Sequence, residues 1–195
     1  MVDSVIIEPV TKHDDEGFHR LVQTERARLS AFFPLTTERC TDVRSTRKYL
    51  KEIVDRSNKR EFYCFVLREF EGGDPIGAVF LKQFDWTIPK CETAYFVAAS
   101  YEKHGLGSMG VIWATDFALS QLGVNKVIAR IAPDNIASVR VAEKCGFQLE
   151  GLIRRDFRAG NGELMDVNGL NKQWLPILVF FVAMAAMVYA RINLF

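Results

Sequence analysis

The chain has 195 residues, 49% of them hydrophobic, and its 25 basic and 24 acidic side chains nearly cancel to a net charge of +1. This length and apolar content suffice for one domain with a buried core, and the even charge argues against a nucleic-acid-binding groove. The four cysteines are single, without a C-x-x-C pair or a histidine at metal-ligand spacing, so we expect free thiols in a reducing compartment and no metal site.

The N-terminal half predicts strands separated by two helices. MVDSVIIEPV has no basic region followed by an apolar run, so we expect no secretory signal and a cytoplasmic catalytic domain, and SVIIEPV within it is typical of a strand. Apolar side chains recur at helical spacing over residues 14–30 and 42–56. Residues 62–67 are apolar at nearly every position, as in a strand covered on both faces, and the EGGDP turn predicts an antiparallel return over 76–83.

The C-terminal half alternates strands with helices. CETAYFVAAS is a predicted strand, residues 107–122 a helix that stops at Gly123, NKVIARIA a strand, and DNIASVRVAEKCG a short helix that stops at Gly146. FQLEGLIRRDF and ELMDVNGL then form a closing hairpin around RAGNG. The order β-α-α-β-β-β-α-β-α-β-β predicts an α/β (α+β) fold, with a mixed, mostly antiparallel sheet flanked by helices.

The end of the chain has a different composition. From Trp174 to Ala190, 17 consecutive residues carry no charge, and Lys172 and Arg191 flank them. As a helix this run spans roughly 25 Å, or roughly 33 Å to Phe195, against a hydrocarbon core of about 30 Å. We therefore divide the chain into a domain of residues 1–173 and an apolar helical tail of residues 174–195. The tail is interpreted as a membrane anchor, with packing on the domain or on a partner as the alternatives.

One glycine-rich stretch, YEKHGLGSMG, lies between a predicted strand and a predicted helix. A helix N-terminus has free backbone N–H groups and the positive end of the helix dipole, and glycines allow an anion to approach them closely. The stretch therefore predicts a phosphate site. It lacks both the Walker lysine and the third glycine of a dinucleotide fingerprint, which argues against an NTPase or a Rossmann enzyme.

Together, AYFVAASYEKHGLGS and DNIASVRVAEKCGF closely resemble the GNAT family of acetyl-CoA-dependent N-acetyltransferases, and more narrowly its RimJ/RimL-type branch, which acetylates ribosomal-protein N-termini. The resemblance covers about residues 5–170. It also includes ERARLSAFFP, EGLIR and MDVNGL.

The resemblance implies a binding site for acetyl-CoA. Backbone N–H groups of Gly105, Leu106, Gly107 and Ser108 would hold the pyrophosphate, and the strand through Tyr95, Phe96 and Val97 would pair with pantetheine. The Val97 N–H would polarise the thioester carbonyl, a role that suits the negative charge built on that oxygen during attack by an amine.

The loop departs from the family pattern at one position. The family has Gln or Arg three residues before the first glycine, and this chain has Glu102. A carboxylate gives the phosphates no attraction, so Lys103 and His104 are the expected sources of positive charge.

The resemblance also names catalytic candidates on the short helix. It implies that Asn135 contacts the cofactor arm and that Ser138 protonates the departing thiolate, whereas the plainer interpretation makes Asn135 a helix N-cap with Ser138 in the first turn. In many GNAT enzymes the acid is a tyrosine four residues before the helix-ending glycine. This chain has Ala142 there, which leaves Ser138 or water as the acid.

Three carboxylates are candidates for ordering a water that takes the amine proton: Glu92, Asp156 and Glu163. Each has the alternative of being a solvated or ion-paired side chain. An α-amine, with a pKa of about 7.7 to 8.0, is partly neutral at cytoplasmic pH, whereas lysine, at about 10.4, is almost wholly charged. A site without a committed base therefore favours an α-amine.

We therefore predict acetyl transfer from acetyl-CoA to a primary amine, most simply a protein or peptide N-terminus, by direct attack without an acyl-enzyme. Cys145, at a helix end facing the sheet, is interpreted as a packing residue and not a nucleophile. A polyamine, an aminoglycoside or another small amine is the alternative acceptor. A membrane-tethered acyl-CoA-binding module without turnover is the alternative from another functional class.

Overall fold

A computed structural model describes residues 5–173, which form seven strands and six α-helices. In the described part of the chain, no helix is long and apolar enough to cross a membrane. The predicted tail helix, residues 174–195, lies outside the described residues. The strands are β1 (Ile6–Pro9), β2 (Tyr63–Arg68), β3 (Gly77–Asp85), β4 (Lys90–Val97), β5 (Lys126–Ile131), β6 (Gln148–Arg158) and β7 (Leu164–Gln173), and the helices are α1 (Asp15–Thr24), α2 (Arg26–Phe32), α3 (Pro34–Arg39), α4 (Val43–Asn58), α5 (Leu106–Asp116) and α6 (Ile136–Lys144).

All seven strands belong to one mixed sheet in the order β1-β2-β3-β4-β5-β7-β6. Only β4 and β5 pair in parallel, and the other neighbours are antiparallel. One face is covered by α5 and α6 over an apolar cluster that includes Phe65, Leu81 and Val127. The opposite face is covered by α1, α2 and α4 over a second cluster that includes Phe18 and Leu50. The predicted mixed, mostly antiparallel sheet between helices is confirmed.

The prediction of one continuous helix over residues 14–30 is wrong. The chain makes α1 and α2 with a break at Glu25, whose backbone has φ −96° and ψ 5°. The Glu25 carboxylate is 6% exposed and accepts the backbone N–H of Ala99, just after β4, at 2.9 Å. This tertiary contact fixes the break, which helical periodicity does not reveal. A further helix that we did not predict, α3, begins at Pro34, whose ring suits a first helical position.

Other helix ends agree with the sequence. Asp42 caps α4 by accepting the backbone N–H of Ser45 at 2.8 Å. The predicted helix over 107–122 consists of α5 followed by a π-helical segment, Phe117–Leu122, and it stops at Gly123, which has φ +73°. Gly146 follows α6 with φ +84°. Both glycines supply the left-handed backbone that ends a helix.

The turn between β6 and β7 contacts α2 through Gly160. A Cβ atom at this position would lie 2.0 Å from the backbone oxygen of Ser30. We therefore expect Gly160→Ala to lower the free energy of unfolding by about 1–3 kcal/mol, because turn and helix must separate. Gly162→Asn is the matched control, since that glycine has φ +85° and open space around it. Chemical denaturation measures both, and equal stability of the two variants would contradict the contact.

Candidate active site

The central feature of the site is a fork in the sheet between β4 and β5. These strands pair at only three positions, from Lys90↔Lys126 to Glu92↔Ile128. Beyond Glu92, β4 stays paired with β3 as far as Gly77↔Val97, and β5 stays paired with β7 as far as Ile131↔Asn168. Within the described chain, residues 93–97 therefore present an edge without a strand partner on the β5 side. We call this gap the fork.

The backbone of β4 directs alternate polar groups into the fork. The N–H of Ala98, just after β4, donates to the carbonyl of Ile76 on the β3 side at 2.8 Å. In an antiparallel pair, successive residues point their N–H and C=O groups to opposite sides. Those of Thr93, Tyr95 and Val97 therefore face the fork. An extended chain with amide groups could pair with this edge as an added strand.

A helix N-terminus follows the open end of β4. Gly105 precedes α5 with φ +80°, a conformation that favours glycine, and the first turn begins at Leu106 with no side-chain cap. The N–H groups of Leu106, Gly107 and Ser108 belong to the first turn, whose amides have no acceptor within the helix. This arrangement suits the predicted pyrophosphate site.

Gly107 is also needed for packing, because the ring of Tyr95 lies directly against it. A Cβ atom there would lie 2.6 Å from Cε2 of Tyr95, so the absence of a side chain lets the tyrosine ring pass under the helix. The phenol then reaches α6, where it donates to Oγ of Ser138 at 3.4 Å. Burial raises the pKa of Tyr95, and the bond to Ser138 opposes that rise. The phenol is therefore protonated at neutral pH.

The first turn of α6 lies at the same end of the fork. Asn135 is its N-cap, because its Oδ1 accepts the backbone N–H of Ser138 at 3.1 Å. The N-cap interpretation of Asn135 is confirmed, and a contact of its amide with coenzyme A remains a prediction. Ala142, where the family tyrosine would stand, is buried in the core.

Two of the three predicted carboxylates are joined by one arginine. Glu92 is 6% exposed and is bound at 2.9 Å by Nζ of Lys82 and at 2.7 Å by Nε of Arg130. Nη1 of Arg130 also binds Oδ2 of Asp156 at 3.0 Å. The third candidate, Glu163, is exposed in the β6–β7 turn and is not brought into this cluster. Glu92 and Asp156 therefore sit beside the fork as ion-paired groups.

The carboxylate of Glu102 is paired as well. It binds Nη1 of Arg28, and Nη2 of the same guanidinium donates to the carbonyl of Val97. Lys103 and His104 are both exposed on the loop, and Lys103 has φ +64°. The positive group that meets Glu102 therefore comes from α2, 74 residues earlier in the chain.

Sequence reasoning missed Arg28, Arg130 and the side-chain role of Tyr95. Arg28 stood in the quoted segment ERARLSAFFP, and Arg130 in the predicted strand NKVIARIA. An arginine in a largely apolar strand was the available signal for Arg130, since a charge there needs a partner. Nothing in the local pattern indicated that Arg28 meets the glycine loop.

Cys145 is buried and its Sγ lies 3.6 Å from the backbone oxygen of Ser108. Burial raises the pKa of this thiol, which keeps it protonated. The packing role predicted for Cys145 agrees with this position. All four cysteines are buried free thiols. In residues 5–173, no cluster of three or more His, Cys, Asp or Glu side chains is placed to hold a metal ion.

Comparison with known proteins identifies the family. The pattern that defines the acetyltransferase (GNAT) domain matches residues 4–148. The chain therefore belongs to the GNAT acetyltransferase family, whose reaction is acetyl-CoA-dependent N-acetylation. Over 127 residues it is 28% identical to the uncharacterized N-acetyltransferase p20 of Bacillus licheniformis, covering 65% of this chain and 71% of that protein. It is 27% identical over 119 residues to spermidine N(1)-acetyltransferase of Vibrio cholerae, covering 61% and 65%.

Solved structures share the fold at low sequence identity. Ribosomal-protein-S5-alanine acetyltransferase from Vibrio fischeri superposes with a TM-score of 0.80 and 17% identity, covering 87% of this chain and 92% of that one. Mycobacterium smegmatis RimJ in complex with CoA-disulfide has a TM-score of 0.78 and 18% identity, covering 88% and 83%. The chain therefore shares its fold with both proteins, and the second of them was solved with a coenzyme A disulfide.

The contact between Gly107 and Tyr95 generates a stability prediction. Gly107→Ala should lower the free energy of unfolding by about 1–3 kcal/mol, because the new methyl group overlaps the tyrosine ring. In a Tyr95→Ala background the same change should cost nothing, and it should even stabilise the helix, because alanine has the higher helix propensity by about 1 kcal/mol. Denaturant unfolding of the four proteins gives the coupling free energy. Equal costs of Gly107→Ala in both backgrounds would refute the assignment.

Proposed function

We propose that this protein transfers the acetyl group of acetyl-CoA to the α-amine of a protein or peptide N-terminus. The observation that carries the proposal is the fork, whose β4 edge directs the backbone N–H groups of Tyr95 and Val97 into the gap beside the uncapped start of α5. An extended pantetheine arm along β4 would place its pyrophosphate at Leu106, Gly107 and Ser108. Family membership supplies the reaction class, and the acceptor is the part proposed here.

The chemistry is direct transfer. The neutral amine attacks the thioester carbonyl carbon, a C–N bond forms, and the C–S bond breaks to release the thiolate of coenzyme A. Negative charge on the carbonyl oxygen during attack would be stabilised by the Val97 N–H, a dipole fixed by the pairing of β4 with β3. The amine nitrogen loses one proton and the thiolate gains one, so the two proton transfers balance.

For the acid we propose Ser138, with Tyr95 behind it. The Tyr95 phenol already donates to Oγ of Ser138 at 3.4 Å, so a proton given to the thiolate by Ser138 can be replaced from the phenol, which then takes up a proton from water. The tyrosine that many family members carry on α6 is thus replaced here by a hydroxyl pair shared between β4 and α6. The raised pKa of Tyr95 keeps that proton in place at neutral pH.

For the base we propose a water molecule beside Glu92 and Asp156. Both carboxylates bind Arg130, and Glu92 also binds Lys82, so neither is free to take a proton without losing an ion pair. They are better suited to orienting water than to accepting its proton permanently. An amine with a pKa of about 7.7 to 8.0 needs no stronger base at neutral pH.

Two observations bear on the acceptor. Structural neighbours include enzymes named for ribosomal proteins, which favours a protein N-terminus. A relative named for spermidine keeps a small polyamine as the alternative. The ion pairing of Glu92 favours the first, because a polycation would be attracted by carboxylates that lack a protein cation, and Glu92 binds two.

Acceptor choice can be measured by coenzyme A release from acetyl-CoA. The acceptors are a lysine-free peptide with a free N-terminus, the same peptide with a blocked N-terminus and one added lysine, and spermidine. We expect turnover with the first peptide to exceed that with the other two acceptors. Preference for spermidine would favour the small-amine alternative. Acetyl-CoA binding without turnover on any amine would support the alternative of a non-catalytic acyl-CoA-binding module.

Ser138→Ala tests the acid in the same assay, with Ser120→Ala as the matched control. Ser120 is an exposed helical serine whose hydroxyl donates to the carbonyl of Asp116 and accepts from Nε2 of its neighbour Gln121. Loss of the acid should lower kcat by roughly 100-fold, whereas the control should retain full activity. Equal activity of both variants would assign the proton to water.

For residues 174–195 we propose a membrane anchor that tethers a cytoplasmic domain. The support is sequence alone, namely 17 uncharged residues between Lys172 and Arg191. A helix of this length approaches the thickness of the hydrocarbon core, and Arg191 near its end can reach the interface.

Fractionation tests the anchor. Full-length protein should sediment with membranes and resist extraction by salt, because the hydrophobic effect, and not charge, would hold the tail in the bilayer. A chain ending at Gln173 should remain in the supernatant. Full-length protein that is soluble without detergent would disprove the anchor.

A further inference from the structure

Helix α2 is tied to the end of β4 and to the loop before α5 by one arginine. Arg28 binds three groups at once: the carboxylate of Glu25, the carboxylate of Glu102 and the carbonyl of Val97. Its contacts with Glu25 measure 2.7 Å from Nη2 and 2.9 Å from Nε. A guanidinium is suited to this, because its donors point in several fixed directions within one plane.

Glu25 holds Arg28 in place through its carboxylate. Its carboxylate is buried, with Oε1 accepting the N–H of Ala99 at 2.9 Å and Oε2 accepting Arg28. The side chain therefore binds both the chain just after β4 and the cation that covers it. A buried carboxylate of this kind needs its positive partner, and Arg28 is the cation it binds in the described structure.

Glu102 lies three residues before Gly105, on the loop that leads to the start of α5. An unpaired carboxylate there would repel the phosphates of coenzyme A, and would do so most strongly at low ionic strength. The Arg28 and Glu102 side chains are 42% and 48% exposed, so solvent and a bound anion can both reach the pair.

We propose that Arg28 is a positioning residue for acetyl-CoA: it neutralises Glu102 and makes a loop that carries a carboxylate able to accept a pyrophosphate. The inference rests on the proposed function and adds a residue far from the glycine loop in sequence. It explains how the loop can bind phosphates although Glu102 stands in place of the family's Gln or Arg, and it needs no positive charge from Lys103 or His104. Arg28 and Glu102 together replace the neutral or positive side chain that the family pattern has at that single position.

The test is a double-variant cycle on full-length protein, with acetyl-CoA binding measured by calorimetry in one detergent buffer throughout. Arg28→Ala should raise the Kd about five- to tenfold at low salt, and less at high salt. Glu102→Gln should bind at least as tightly as the unchanged protein. The combined variant should recover most of the loss, because the carboxylate that Arg28 neutralises is gone.

Acetylpantetheine, which lacks the pyrophosphate, separates a charge effect from a structural one. With this donor, Glu102→Gln and the double variant Arg28→Ala/Glu102→Gln should have the same kcat/KM. Arg28→Ala alone should lose no more kcat/KM than the double variant. Arg28→Lys should keep acetyl-CoA binding near normal, since it keeps the charge. Thermal unfolding of all variants checks that each is folded.

The outcomes separate the inference from the function on which it rests. If the unchanged protein does not bind acetyl-CoA, both fail. If it binds and Arg28→Ala binds equally well, or if Glu102→Gln does not restore binding in the Arg28→Ala background, the inference alone is overturned. An equal loss for acetyl-CoA and acetylpantetheine also overturns it, because the defect then does not involve the phosphates.

Discussion

The site depends on one constraint, the separation of two parallel strands after only three paired positions. Because β4 keeps its pairing with β3 and β5 keeps its pairing with β7, each strand stays rigid while the gap between them opens. The gap exposes backbone amides that a continuous sheet would bury in hydrogen bonds. It also brings the first turns of α5 and α6 to one place, since each helix begins beyond the open end of its strand. A loop could not hold those dipoles as firmly.

Charged side chains hold the elements around this gap. Glu92 on β4 is bound by Lys82 from β3 and Arg130 from β5, so the closed end of the fork is crossed by ion pairs. At the open end, Glu25 binds both Arg28 and the backbone after β4. Both carboxylates are buried, and removal of a partner from a buried charge is strongly destabilising. The pair of Glu92 with Arg130 therefore joins the strands on the two sides of the gap, and loss of either arginine would leave a buried carboxylate short of a positive partner.

Much of this fold could be predicted from periodicity and turn residues, because α4, β2 and the β6–β7 hairpin follow local rules. The break between α1 and α2 could not, since it depends on a hydrogen bond that the N–H of Ala99 donates to the carboxylate of Glu25, 74 residues away. The candidate site divides in the same way. The start of α5 is a local feature and could be predicted from its glycines. The contacts of Arg28 and Arg130 join distant segments, so no local sequence pattern indicates them.

The two glycines of the HGLGS loop show why a motif can give the correct position for an incomplete reason. Gly105 is required by its backbone, with φ +80° and open space around it. Gly107 is required by a neighbour, the ring of Tyr95, and any residue except proline at that position would still present a backbone N–H. That ring reaches Ser138 only because it passes under the helix at Gly107. The glycine that suggests a phosphate site from sequence therefore also permits the hydroxyl pair on which the proposed acid depends.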